Sequence, residues 1–117
     1  MRNNKMQRIS NPYGPLMDSI FDVKLPVYVF RVKHIYQDGD ECAALYHYPG
    51  YNGKNKKTHV ILVSEKYSDT LEKMLGCLFH EYIHIWQHEN GYRFGHGEKT
   101  QFKPWARYLL DRYWVIV

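Results

Sequence analysis

The chain has 117 residues, 44% hydrophobic, 16% aromatic and 24% charged, enough for one small domain with its own core and too few for two. Its formal net charge of +4, with seven histidines counted as neutral, is far from the dense Lys/Arg stripe of a dedicated nucleic-acid binder. No apolar run approaches the roughly 20 residues needed to cross a bilayer. Pro12, Tyr13, Gly14 and Pro15 stand where a signal peptide needs its apolar stretch, so an intracellular, cytoplasmic protein is expected.

Met1 to Asn11 is polar with three cations and reads as a loose or weakly docked arm. Pro15 to Phe21 predicts a short helix, because proline suits a first turn and Leu16, Met17, Ile20 and Phe21 recur at helical spacing. Val27 to His34 has strand composition. Asp38-Gly39-Asp40 is a turn signal, after which Cys42 to Tyr48 is expected to run back along the first strand. A loop with Pro49, Gly50, Asn52, Gly53, Lys54, Lys56 and Lys57 leads to a third strand, His59 to Ser64. Beyond Tyr67 the period changes: Leu71, Leu75, Leu78, Tyr82 and Ile85 form one helical stripe. Asp69 as N-cap with Glu72 three residues on, and Asn90-Gly91 as the stop, bound a helix of roughly 20 residues. Pro104 opens a final helix through Trp105, Tyr108, Leu109 and Leu110. The expected fold is therefore α+β: a small, mostly antiparallel sheet of about three strands beside one long helix, with a C-terminal helix, in a single domain over residues 1–117. Trp86, Trp105 and Trp114 are expected between the two helices. Cys42 and Cys77 form no CxxC pair and read as two free, buried thiols.

The long helix carries His80-Glu81-Tyr82-Ile83-His84, an HExxH match. Residues four apart on a helix differ by about 40° and 6 Å, so both imidazoles can converge on one ion. Glu81, on the flank of that face, can reach a water at the ion without being a ligand and is placed as general base. A catalytic zinc takes three protein ligands and a water, so a third ligand is needed. His88 lies about 12 Å along the helix from His80, too far to share a tetrahedral ion, and suits the C-terminal end of the helix dipole instead. The helix stop lets the chain turn back, and His96, between Gly95 and Gly97, is the expected third ligand, with Glu98 and Glu89 as carboxylate alternatives. A metzincin loop is disfavoured, since Gln87 stands at its glycine position and Asn90 at its third histidine.

The words Ile61-Leu62-Val63-Ser64, Leu78-Phe79-His80-Glu81-Tyr82-Ile83-His84-Ile85-Trp86-Gln87, Gly95-His96-Gly97 and Phe102-Lys103 resemble the SprT-like zinc metallopeptidases, which include the Spartan DNA-protein crosslink proteases. The resemblance runs from about Ala43 to Leu110. It implies a minimal zincin-like domain with one catalytic Zn2+ on His80, His84 and His96, Glu81 as catalyst, and protein or peptide substrates, some associated with DNA. The chain lacks the cysteines of the zinc ribbon that many members carry, so recruitment to DNA would use the catalytic domain or a partner. The alternative function is a catalytically idle, zinc-stabilised domain that binds DNA or a protein. Glu81 argues against it, because a structural site needs no general base and closes its fourth position.

The remaining histidines, His34, His47 and His59, lie in predicted strands or their ends and are left outside the site. Extended peptide could add to Ala43–Tyr48 or to His59–Val63 by strand augmentation. Tyr46, Tyr48, Tyr92 and Arg93 are candidate oxyanion donors. Lys54, Lys56 and Lys57, just after Tyr48 and Tyr51, offer a weak DNA contact, although a solvated loop would read the same.

Overall fold

A computed structural model describes residues 5–117. The first four residues of the expected arm lie outside the described residues. Within the remainder of that segment, strand β1 (Gln7–Ile9) pairs antiparallel with β2 (Val27–Val32), Arg8 opposite Phe30. Between them, helix α1 (Gly14–Phe21) starts at the proline-containing turn and buries Met17 and Phe21.

The turn at Asp38-Gly39 forms, with φ of 54° and 86°, the double positive-φ geometry that matches strand twist in a tight hairpin. It closes only a two-residue ribbon, β3 (Tyr36–Gln37) against β4 (Asp40–Glu41). The expected pairing of the second long strand with the first is therefore wrong. Strand β5 (Ala44–His47) instead pairs antiparallel with β6 (His59–Ser64), and β6 pairs in parallel with β2, giving the order β1-β2-β6-β5. The sheet is mixed and four-stranded. The reason lies in β6, where His59, Val60, Ile61, Val63 and Ser64 are all buried. A strand apolar on both faces belongs inside a sheet, covered on each side, and two flanking strands are what keep its backbone paired.

Helix α2 (Leu71–Glu89) lies on the sheet beside β5 and β6. Its N-cap is Thr70, whose Oγ1 accepts the Lys73 N–H at 3.2 Å, whereas Asp69 forms an ion pair with Lys73 at 3.0 Å. The cap thus falls one residue later than expected, because Thr70 is the residue with extended backbone at the helix entrance. Leu78, Phe79, Tyr82, Ile83 and Ile85 are all buried, so α2 is covered on two sides rather than along one stripe. Leu71, the first residue of the expected stripe, is exposed.

Helix α3 (Phe102–Tyr113) opens two residues ahead of Pro104, which is tolerated because first-turn N–H groups have no helical partner. Phe102 and Leu109 turn into the core with Met17, Phe21, Val29, Ile61 and Val63. Trp86 and Trp105 pack there as expected, rings 5.6 Å apart. Trp114 does not. It caps α3 in left-handed backbone, φ 62°, and is 88% exposed, since that conformation turns the side chain away from the helix face. No described helix is long and apolar enough to cross a membrane.

Candidate metal centre

Three imidazoles meet at the open side of α2. His80 and His84 project from adjacent turns, as i and i+4 must, and His96 comes in from the loop between α2 and α3. One ring nitrogen from each lies within 4.8 Å of the other two. The ring centroids form a triangle with all three sides 5.1 Å. His80 Nε2 and His96 Nε2 stand 3.2 Å apart, close to the roughly 3.3 Å separating two nitrogens on a tetrahedral ion bound at 2.0–2.1 Å. Phe102 forms the floor, its ring 4.9, 5.4 and 4.7 Å from those of His80, His84 and His96. The three side chains can hold a metal ion.

Burial favours the form that binds metal. It depresses His80 to about 4, with the charges of His84 and His96 adding to the effect, and it lowers His84 as well. Neutral imidazole is the ligand.

The loop bearing His96 is fixed by backbone rather than by a core of its own. Asn90 ends α2, Gly91 takes φ 77°, and the Tyr92 N–H returns to Gln87 O at 2.9 Å. The two glycines around His96 differ in purpose. A Cβ on Gly95 would lie 2.9 Å from Thr100 Cγ2, while one on Gly97 would meet nothing within 4 Å. Gly95 lets the loop close on Thr100.

Glu81 lines a cleft of about 1280 Å³ together with His80 and His96. Its carboxylate Oε2 is 3.9 Å from His80 Nε2. Desolvation raises it to about 8. Cys42 and Cys77 line the same cleft, are free as expected but only half-buried, and their thiols are pushed up by burial and by the Glu81 charge. Also lining the cleft is the segment after α3. Gly76 faces it, and a Cβ there would lie 2.9 Å from the Ile116 carbonyl oxygen.

The other sequence candidates fall outside this cluster. His88 stacks on Tyr48 at 5.2 Å. Glu89 accepts the Lys24 N–H and bonds His59 Nε2 at 2.8 Å, and Glu98 is held by Arg107 through bonds of 2.7 and 2.8 Å. Neither carboxylate joins the histidines. His34 bonds Glu41, His47 stacks on Tyr51 at 4.2 Å, and His59 is fully buried. Of the candidate oxyanion donors, the Tyr46 hydroxyl is bonded to His59 Nδ1 at 2.7 Å and the Tyr92 ring lies on Trp86. Tyr67 and Tyr113 line the cleft instead. Neither stood out among 11 tyrosines, because no local pattern distinguishes a tyrosine brought to a cleft by tertiary packing.

Gln87 is the site residue that motif reasoning passed over, reading it only as the residue that breaks the metzincin pattern. It is fully buried, three residues beyond His84, and joined to that imidazole at 2.7 Å. The spacing alone carries a signal, since i and i+3 share a helix face.

Comparison of the chain with protein-family models, with curated proteins and with solved structures returns no match.

Proposed function

We propose that this chain is a zinc-dependent metallopeptidase of SprT-like, zincin type. The observation that carries the reading is the equal-sided triangle of His80, His84 and His96 with Glu81 beside it on the wall of an open cleft. Three imidazoles suit zinc, copper, nickel or iron. The HExxH spacing and a glutamate that is not a ligand favour zinc used catalytically.

Zinc bound there would lower the pKa of a water toward about 7 and polarise a carbonyl. With the ion in place, Glu81 would be the group that accepts the proton of the attacking water as its oxygen bonds to the scissile carbon, and that returns it to the departing nitrogen as the C–N bond breaks. His80, His84 and His96 would hold the ion. Substrate placement follows from the sheet. Both edges of β6 are paired, whereas β5 ends the sheet order and its approach, Cys42 to Ala44, lines the cleft. An extended peptide would therefore add to β5. Lys54, Lys56 and Lys57 are exposed on the loop after it, which supports DNA-associated proteins as one substrate group.

The test compares wild type with Glu81→Gln for zinc content and for cleavage of unfolded casein and of a DNA-crosslinked protein. Stoichiometric zinc in both, with cleavage by wild type alone and a loss of at least about 10²-fold in the variant, is the expected result. Zinc in both with no cleavage by either would favour an idle, zinc-stabilised domain, and absence of zinc would overturn both readings.

A further inference from the structure

Gln87 makes three hydrogen bonds that together admit one arrangement of its amide. One end of the side chain lies 3.0 Å from Gly95 O and 3.0 Å from Thr100 O. Both are carbonyls and can only accept, so this end is the NH2 group and both of its hydrogens are used. The other end is then the amide oxygen, which can only accept, and it sits 2.7 Å from His84 Nδ1. That nitrogen must carry the proton. In a neutral imidazole the lone pair is then left on Nε2.

We infer that Gln87 is a positioning residue for the metal centre, fixing the His84 tautomer while tying the helix that carries two ligands to the loop that carries the third. The two functions are inseparable in this geometry. Gly95 immediately precedes His96, and Thr100 closes the same loop, so an amide anchored on those carbonyls relates the direction of the His84 ring to the position of His96. Full burial keeps water from supplying substitute partners, and a buried amide with all its groups satisfied resists rotation, because turning it over would set its oxygen against two carbonyls and its NH2 against a protonated nitrogen. Partners of this kind usually change metal affinity 10–100-fold when removed. The tautomer part of the inference stands on hydrogen bonds alone, while the affinity part rests on the metal reading above.

The experiment uses the full chain. Long-range ¹H–¹⁵N correlation spectra of metal-free wild type at pH 7.5 report which nitrogen of His84 is protonated; Nδ1–H is expected, and Nε2–H would overturn the inference. Zinc affinity is then measured by competition with a chromophoric chelator for wild type, Gln87→Met and Gln87→Glu. Gln87→Met keeps the length without the bonds and should bind about 10–100-fold more weakly. Gln87→Glu can still accept from His84 but cannot donate to the loop, and should fall between them. Wild-type-like affinity in a folded Gln87→Met chain would overturn the loop-tethering role. Failure of wild type to bind zinc would instead sink the metal reading, with the tautomer spectrum still deciding the role of Gln87 toward His84. The wild-type spectrum needs no variant, so poor folding of either variant does not protect the inference.

Discussion

Glu81 is a buried acid whose nearest basic partner, His80, is itself held neutral by its surroundings. The metal-free protein should show this in its stability. Burial raises Glu81 from 4.5 to about 8 and depresses His80 from 6.5 to about 4. The folded state thus holds a proton on Glu81 that the unfolded chain releases, and refuses one on His80 that the unfolded chain takes up. Between pH 4.5 and 6.5 the two oppose each other. Above 6.5 the imidazole contribution is complete, and stability falls as pH rises through 8 and Glu81 is forced to ionise. Glu81→Gln removes that slope, so at pH 8.5 the metal-free variant should be the more stable by about 3–5 kcal/mol, the gap narrowing as pH falls and closing only near pH 4.5, where the unfolded carboxyl is protonated too. Urea denaturation in the presence of a chelator measures it. A wild type as flat with pH as the variant would show that the carboxylate has found a partner that spares it the cost of ionising.

Element by element, what was legible in the chain was what depends on near neighbours. The α2 helix, its two histidines and the flanking glutamate follow from a 3.6-residue period, and β6 was bounded correctly from its composition. Pairing was not legible, because the turn at Asp38-Gly39 is a strong local signal that closes a ribbon of two residues and says nothing about which long strands meet. The unbroken apolar run of β6 did hold the answer, since it marks a strand buried on both faces. His96 was reachable through its place after the helix stop, but what holds its loop, Gln87 and the Gly95–Thr100 contact, depends on the folded chain. That contact separates the two glycines beside His96. Gly95→Ala must displace a stiff, β-branched Thr100 and should cost about 1–3 kcal/mol, weakening zinc binding with it. Gly97→Ala meets open space and should change zinc affinity less than about threefold, because its Cβ touches nothing that positions a ligand. Chelator competition and thermal melts of the two variants give the comparison, and equal effects would remove Thr100 from the account.

At the scale of the whole molecule, the metal centre joins parts that the core joins only indirectly. His80 and His84 ride on α2, which packs on the sheet and on α1, whereas His96 sits in a loop where Tyr92, Phe94 and His96 itself are exposed. That loop draws little stability from apolar burial, so it should be the part most easily opened. A ligand that needs both sides in place binds the closed, folded state far better than the unfolded chain, and the difference appears as stability: about 2.7 kcal/mol at a free zinc concentration 100 times the dissociation constant. For a domain of this length that corresponds to a rise in Tm of roughly 10 °C. His96→Ala leaves two ligands on one helix, a pair that an isolated helix could also offer, so most of the rise should vanish. His88→Ala should retain it, because His88 stacks on Tyr48 away from the three imidazoles. Melts with and without zinc, read at 222 nm and by loss of amide-exchange protection in residues 91–101, separate the possibilities. Equal zinc-dependent rises in wild type and His96→Ala would mean that the ion is held by the helix alone, and the loop would lose its place in the site.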